Sequence, residues 1–242
     1  LFDGETKNER KELDQNYKAN RPDFSLVEDN ENPFSQLQDI YTCLDFLKLK
    51  HTETTDCETD DIIASYVRKY EKDCEIVISS YDSDFFQLVS NKVTVLRYRG
   101  ENSVLCTPNY IEQKLNIKPN VYADFKSLTG DSSDNIPGLK GIGPKKAIQI
   151  IKRSEWKVTY EGFKDILDRN IRLMELPFAG CPSVEWSLNQ PDQLKFEKAV
   201  DRYNLEWFLT PIGMGCAKKF FDGYRATKVR KSIRIGKRGS KQ

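Results

Sequence analysis

Two kinds of apolar spacing alternate along the first half of the chain. Between residues 34 and 47, apolar side chains recur every three or four positions. This predicts an amphipathic helix with Phe34, Leu37, Tyr41, Leu44 and Leu47 along one face. Residues 60–73 repeat the helical spacing and begin with two acids, which favour a helix start. The runs EIVISS at 75–80 and VTVLRY at 93–98 are instead apolar and β-branched, as in buried strands. Alternating helices and strands predict an α/β fold with a parallel-rich sheet.

The second half of the chain has a helical pattern. Thr107 and Pro108 are typical of a helix N-cap and the first helical residue, so a helix is predicted from there to about Leu115. No strand is predicted after residue 124, and further helices are predicted over 119–129, 144–153, 159–169 and 191–205. We therefore expect an α/β domain at residues 1–123, a helical module at 124–216 and a basic tail at 217–242.

Composition and charge narrow the class of protein. No apolar run approaches the ~20 residues that span a bilayer, so we expect no membrane partner. The six cysteines form no CxxC pair, which favours reduced thiols and a cytoplasmic location. A zinc site built on histidines is excluded because His51 is the only histidine.

The charges are unevenly distributed between the tail and the rest of the chain. The tail carries ten basic residues and one acid, while the rest has a net charge of −8. A basic tail favours a polyanionic partner, and the alternative is a tail that only solubilises the protein.

Acidic residues cluster where predicted strands and helices begin or end. In open α/β sheets the carboxyl ends of strands meet at the ligand site, so these acids are expected to converge. Converging carboxylates repel one another unless cations are bound, and all-oxygen ligands select Mg²⁺ or Mn²⁺. Such a cluster is typical of two-metal phosphodiester cleavage, which needs no histidine. The candidate metal ligands are Asp3, Glu58, Asp60, Asp61, Asp82, Asp84, Asp131 and Asp134. For any single pair of them, a helix cap or a solvated turn is the alternative interpretation.

A second chemical signal follows these acids within about a dozen residues. The stretch GLKGIGPKK is predicted to be a turn followed by a helix that starts at Pro144. Gly141 and Gly143 would allow a ligand to approach the backbone closely, and free amides at a helix start bind anions. Lys145 and Lys146 oppose the helix dipole and are best explained by a bound anion. A turn without a ligand is the alternative. Such a site would bind a phosphate without reading bases.

Together these motifs resemble one family, the structure-specific 5′-nucleases. The family includes the 5′-exonuclease domain of bacterial DNA polymerase I, phage 5′-exonucleases and flap endonucleases. The resemblance extends to about residue 152 and rests on the order and spacing of the acids, the glycine turn and one further pattern. That pattern is Arg10-x-x-Leu13-x-x-x-Tyr17-Lys18-x-x-Arg21-Pro22. The bacterial and phage branch fits best, because it carries the second acid of TGDSSDN, here Asp134.

The resemblance implies a PIN-like nuclease core with a helix–three-turn–helix module and two Mg²⁺ or Mn²⁺ ions. Lys18 and Arg21 would be catalytic residues of an arch over the site, and Arg10 and Tyr17 would join Lys18 in binding DNA. The turn from Gly141 to Gly143 would hold the duplex backbone, with a K⁺ ion bound by its carbonyls. In this family a strand with another metal-binding aspartate precedes the position of Asp3. We therefore expect such a segment to precede Leu1 in the natural protein.

The resulting hypothesis is a monomeric, metal-dependent 5′-nuclease of DNA replication or repair, associated with the nucleoid. It would cut near 5′ ends or flaps of branched DNA, and RNA primers paired to DNA are a further expected substrate. The alternative is a catalytically weak or inactive junction-binding protein with the same fold, which would follow if the upstream aspartate were lacking. A PIN-like ribonuclease is disfavoured, because the glycine turn suits a duplex backbone.

Overall fold

The structure is a computed structural model, and the helices and strands reported below lie in the residues that it describes. These are residues 1–3, 9–22, 27–28, 31–54, 57–153, 156, 160–179, 181, 192–211, 214–215, 217–219 and 221–222. The predicted tail from 217 onward therefore lies almost entirely outside the described residues.

The strands of the described residues pair as both parallel and antiparallel neighbours. β1 (Phe2–Asp3) is parallel to β2 (Glu53–Thr54), and β3 (Ile76–Ser79) is parallel to β4 (Val93–Arg97). β5 (Val104–Cys106) is antiparallel to β4, with Val95 opposite Cys106. The predicted α/β fold with parallel strands is confirmed. The antiparallel β5 was not predicted, because three residues are too few for a periodic signal.

The first half of the chain contains α-helices of five to twelve residues, and the last of them begins at a side-chain cap. α1 (Glu9–Leu13) is followed by turns rather than more helix, because residues 14–21 offer little apolar surface for packing. A short 3₁₀ turn, Pro33–Gln36, leads into α2 (Leu37–Phe46). α3 (Thr59–Tyr70) starts after Glu58, and α4 (Pro108–Leu115) starts after Thr107. The Thr107 side chain accepts a hydrogen bond from the Tyr110 amide, which confirms the predicted cap.

In the described residues, the second half of the chain is helical apart from turns and one short hairpin. α5 (Tyr122–Thr129) runs directly into β6 (Gly130–Asp131), which is antiparallel to β7 (Ile136–Pro137). The expectation that no strand follows residue 124 was therefore wrong, since two-residue strands have no readable apolar pattern. The remaining helices are α6 (Pro144–Ile151), α7 (Lys164–Met174), α8 (Gln193–Arg202) and α9 (Glu206–Leu209).

Two apolar clusters support the elements that carry the acids. One cluster packs the inner face of the β3–β5 sheet against α3 and the 3₁₀ helix Asp84–Leu88, and includes Phe85, Val93, Val95 and Ile111. The second cluster joins α5, α6 and α7 through Leu128, Ala147, Ile150, Trp156 and Leu167. Burial of these side chains fixes the helix and strand ends from which the acids project.

The chain divides into two compact units, Leu1–Asp23 with Thr52–Trp186, and Phe24–His51 with Ser187–Gln242. The first unit contains the sheets and α3 to α7. In the second unit α2 packs on α8, where the Lys195 ammonium lies 5.6 Å from the ring centroid of Phe46. None of the helices in the described part of the chain is long and apolar enough to cross a membrane.

Candidate active site

Three carboxylates of the first unit lie close enough together to share a cation. Oxygen atoms of Asp84, Asp131 and Asp134 all lie within 4.8 Å of one another. Asp84 begins the 3₁₀ helix that follows β3, Asp131 is in β6, and Asp134 lies in the turn before β7. The turn after the parallel strand β3 and the hairpin of β6 and β7 thus bring together acids that lie up to 50 residues apart in sequence.

A lysine that the sequence analysis missed lies between two of these acids. The Lys126 Nζ atom is 3.1 Å from Asp84 Oδ1 and donates a hydrogen bond to Asp131 Oδ2. Lys126 is in the last turn of α5, the helix that leads into Asp131. A lysine five residues before a predicted metal ligand is the sequence signal that could have identified it. Its ammonium provides a positive charge inside the acid cluster.

The charges of the cluster shift the pKa values of its members in different directions. Burial raises the pKa of Asp84 to about 6, although Lys126 opposes this shift. Burial would also raise the pKa of Asp131, but hydrogen bonds from Lys126 and Ser133 outweigh it and lower that pKa below its usual value. Burial would lower the pKa of Lys126, but Asp84 and Asp131 outweigh it and raise that pKa, so the lysine is charged.

The cluster has the chemistry of a hard-cation site. Asp84 Oδ1 is buried, and the Lys126 Nζ atom lies 3.1 Å from it. Burial of several carboxylates in one place is costly, and a bound cation would offset part of that cost. Because the three acids offer oxygen ligands alone, their donor set fits Mg²⁺ or Mn²⁺.

A segment that follows α1 lies against the same acids. The Tyr17 hydroxyl is 3.1 Å from Glu58 Oε2 and 3.4 Å from Asp134 Oδ2. Lys18 Nζ is 2.7 Å from Glu58 Oε1, and Arg21 Nη2 is 2.7 Å from Asp134 Oδ1. Burial raises the pKa of Tyr17, so the tyrosine is a neutral donor. The structure therefore brings the two predicted catalytic cations into contact with two predicted metal ligands.

The backbone holds this segment in place as well. The Lys18 amide donates to the Asp134 carbonyl at 2.9 Å, and Lys18 has a left-handed backbone with φ 54°. The Asn135 side-chain amide donates to the Asn16 carbonyl at 2.8 Å. A non-glycine residue at positive φ is uncommon, and here the contacts with the 131–135 turn stabilise it.

Arg10 and Asp61 occupy the interior instead of the surface. Arg10 is 3% exposed and pairs with Asp61 through both terminal guanidinium nitrogens. The distance from its Nη2 to Asp61 Oδ1 is 2.8 Å. Its Nε donates to the Leu173 carbonyl at 2.8 Å. In this structure the Arg10 guanidinium is buried and paired within the protein, and its DNA contact stays a prediction. Asp61 is 1% exposed and also accepts from the Phe178 amide, so its oxygens are occupied within the protein.

The remaining predicted ligands are outside the group of three acids. Asp82 is exposed, and its Oδ1 accepts from the Asp84 amide at 2.8 Å, which fixes the turn after β3. Asp60 is half-buried in the first turn of α3. Asp3 is in β1, and its side chain lies outside the described residues.

The glycine turn has an open surface. Gly141 has φ +76°, and a Cβ atom at Gly141 or Gly143 would have no protein atom within 4 Å. Gly143 is the N-cap of α6 and supplies no side-chain cap to the helix amides. Lys145 and Lys146 are exposed in the first turn of that helix. Open space, uncapped amides and two lysines together match an anion site.

Comparisons with known proteins identify the family of the chain. A family model described as 5′-3′ exonuclease, N-terminal resolvase-like domain, matches residues 1–116, and one described as 5′-3′ exonuclease, C-terminal SAM fold, matches residues 117–168. These matches confirm the predicted PIN-like nuclease core, which the first description calls resolvase-like.

Curated relatives carry the same family name or that of a polymerase. The chain is 34% identical over 197 residues to a 5′-3′ exonuclease of Buchnera aphidicola, a match that covers 81% of this chain and 64% of that protein. It is 36% identical over 157 residues to a thermostable DNA polymerase I of Thermus thermophilus, covering 64% of this chain and 18% of the polymerase. The chain thus spans less than two thirds of these relatives' length.

Solved structures share the fold at low sequence identity. The 5′-exonuclease of bacteriophage T5 with bound zinc has a TM-score of 0.59 at 21% identity, over 73% of this chain and 72% of that chain. The catalytic core of Rad2 in complex with a DNA substrate has a TM-score of 0.51 at 16% identity, over 83% of this chain and 73% of that chain.

Proposed function

The chain belongs to the 5′-3′ exonuclease family, and on that premise we propose that it is a metal-dependent, structure-specific 5′-nuclease. It hydrolyses phosphodiester bonds near 5′ ends or flaps of branched DNA. The observation that supports this proposal most is the convergence of Asp84, Asp131 and Asp134, whose oxygen atoms lie within 4.8 Å of one another. The same family contains relatives named 5′-3′ exonuclease, and a flap endonuclease of the same fold was solved with DNA and metal ions.

The metal ligands of this proposal are the three clustered acids, with Asp82 on the same turn as Asp84 and Glu58 and Asp60 at the start of α3. Bound divalent cations would supply a water of lowered pKa and would screen the charge of the phosphate. Burial favours the protonated form of Asp84. A bound cation would oppose this effect and favour the ionised carboxylate.

Three basic side chains of the described residues are positioned to contact the scissile phosphate. Lys18 and Arg21 contact Glu58 and Asp134, and Lys126 contacts Asp84 and Asp131. When divalent cations occupy the carboxylates, these side chains are free to pair with the oxygens of the scissile phosphate. Lys18 then holds the phosphate, and Arg21 and Lys126 orient it. Tyr17 keeps Glu58 and Asp134 in place through its hydroxyl.

The glycine turn binds the duplex beside the cut. Backbone amides at the start of α6, with Lys145 and Lys146, bind phosphates without reading bases in a helix–three-turn–helix arrangement, and Gly141 to Gly143 would hold a K⁺ ion. Relatives named DNA polymerase I support a role in replication or repair. We further propose that the protein is a cytoplasmic monomer that acts at the nucleoid. RNA primers paired to DNA are included among the substrates.

Cleavage of a labelled 5′-flap substrate tests the proposal. The purified chain should cut near the junction in Mg²⁺ and not in EDTA, and Asp84→Asn should lower the rate by at least about 100-fold. Asp168→Asn, which changes an exposed acid of α7, is the matched control and should keep the wild-type rate. Absence of cutting by the wild-type chain in both Mg²⁺ and Mn²⁺ would refute the proposal.

A further inference from the structure

Asn170 is a polar residue with no solvent exposure in the middle of α7. Its side-chain Nδ2 donates to the Ser127 carbonyl at 3.0 Å and to the Pro137 carbonyl at 2.8 Å. Its Oδ1 accepts from Arg169 Nη2 at 3.0 Å and from Arg169 Nε at 3.3 Å. All the hydrogen-bonding capacity of a buried amide is therefore directed at specific partners, and this orientation is fixed by Arg169.

The two carbonyls belong to the two parts of the proposed site. Ser127 lies in α5 between Lys126 and Asp131, the residues that carry the acid cluster. Its carbonyl is among the last four of the helix, which have no partner within the helix itself. Pro137 ends β7 and directly precedes the segment that leads to the glycine turn. The Asn170 side chain thus links the residues that precede Asp131 with the residues that precede α6, the helix proposed to bind the duplex.

Beside Asn170, the residues at the end of α5 and those at the end of β7 are in direct backbone contact. A Cβ atom at Gly138 would lie 2.3 Å from the Thr129 carbonyl carbon, and one at Gly130 would lie 2.3 Å from the Gly138 amide nitrogen. The Leu139 amide donates to the Leu128 carbonyl at 2.9 Å. The amide of Asn170 adds a side-chain link to these backbone contacts, between the end of α5 and the end of the hairpin.

We propose that Asn170 is a positioning residue that sets the spacing between the carboxylate cluster and the glycine turn. It thereby sets where on a branched DNA the cut falls. The inference rests on the proposed function, because the glycine turn must bind the duplex while the carboxylates cut. A purely structural residue would change how much folded protein is present, whereas Asn170 also determines the position of the cut within the folded protein.

The test compares product lengths at nucleotide resolution on one 5′-flap substrate in Mg²⁺. Asn170→Leu keeps the branched shape and the number of heavy atoms and removes both donors, so cuts should spread to neighbouring positions and the main product should fall at least twofold as a fraction of all products. Asn170→Thr keeps one hydroxyl donor and should give an intermediate spread. Val200→Ala, which shortens a buried side chain of α8 in the second unit, is the control for lost packing and should keep the wild-type product distribution.

Each outcome separates the inference from the proposed function. If the wild-type chain makes no cut, the proposed function fails and the inference fails with it. If the wild-type chain cuts and a folded Asn170 variant gives the wild-type distribution, the inference alone is wrong. The same conclusion follows if Val200→Ala spreads the products as widely as Asn170→Leu. It also follows if neither Asn170 variant folds, since the role would then be structural.

Discussion

The Nζ atom of Lys126 lies 3.1 Å from Oδ1 of Asp84, within a cluster of three carboxylates. The same ammonium donates to Asp131, so in this structure one lysine balances part of the charge of the cluster. Lys18 and Arg21 do the same for Glu58 and Asp134. Side chains of the chain itself therefore neutralise part of the charge of the site, and divalent cations would compete with these side chains for the carboxylates.

Loss of Lys126 is expected to make the fold depend on divalent cations. Lys126→Met leaves Asp84 and Asp131 without their shared partner, so the free energy of unfolding in EDTA should fall by about 3 kcal/mol. Mg²⁺ should restore more stability to the variant than to the wild type. Urea denaturation with and without Mg²⁺ measures both effects. Lys164→Met removes an exposed lysine of α7 and is the control. Equal Mg²⁺ responses of Lys126→Met and the wild type would contradict the expectation.

The raised pKa of Asp84 predicts a pH dependence of stability in EDTA. Burial raises this pKa to about 6, above the unfolded value of about 4. Between these values the folded chain binds more protons than the unfolded chain, so the free energy of unfolding falls as pH rises from about 4 to 6. The loss is on the order of 2–3 kcal/mol.

The matched variant for the pH prediction is Asp84→Asn, which has no proton to lose at this position. The stability of the wild type minus that of Asp84→Asn should decrease through the same pH window. Urea denaturation in EDTA at several pH values provides the measurement. A difference that stays constant, or that increases with pH, would show that Asp84 does not titrate in this way.

Arg10 is expected to matter for stability and not for DNA affinity. Arg10→Ala leaves the buried Asp61 without its partner, so the free energy of unfolding should fall by about 3–5 kcal/mol. Arg172→Ala changes an exposed arginine of α7 and should cost no more than about 0.5 kcal/mol. Denaturation gives the stabilities, and fluorescence anisotropy with a branched DNA gives the affinity of the folded fraction. A weaker affinity with unchanged stability would restore the original interpretation of Arg10 as a DNA contact.

The lysines beside the glycine turn are expected to contribute phosphate contacts. Replacing both Lys145 and Lys146 with alanine should reduce the slope of log affinity against log salt by up to about 2, with little change in stability. The control replaces Lys72 and Lys92 with alanine. These exposed lysines precede β3 and β4, whereas Asp84 follows β3, so they lie at the other ends of the strands. Anisotropy titrations at several salt concentrations provide the slopes. The same slope in the wild type and the Lys145/Lys146 variant would contradict the proposed phosphate site.

The sequence predicted those parts of the fold and the site that depend on local pattern. The strands EIVISS and VTVLRY and the cap at Thr107 have strong local signals, and the structure contains all three. The acids after β3 and α5 could be expected to converge because element ends of an α/β fold meet at one edge. The pairing of Arg10 with Asp61 and of Lys126 with Asp84 could not be predicted. These contacts join distant segments, and neither spacing nor composition indicates which charges become buried together.

The dependence of cleavage on Mg²⁺ concentration tests most directly whether the three carboxylates form the metal centre. Single-turnover rates on a 5′-flap substrate should be measured across a Mg²⁺ titration for the wild type, Asp134→Asn and the exposed control Asp168→Asn. We expect Asp134→Asn to raise the Mg²⁺ concentration at half-maximal rate and to lower the saturated rate by at least about 100-fold. Asp168→Asn should follow the wild type. Superimposable Mg²⁺ curves for Asp134→Asn and the wild type would contradict this expectation.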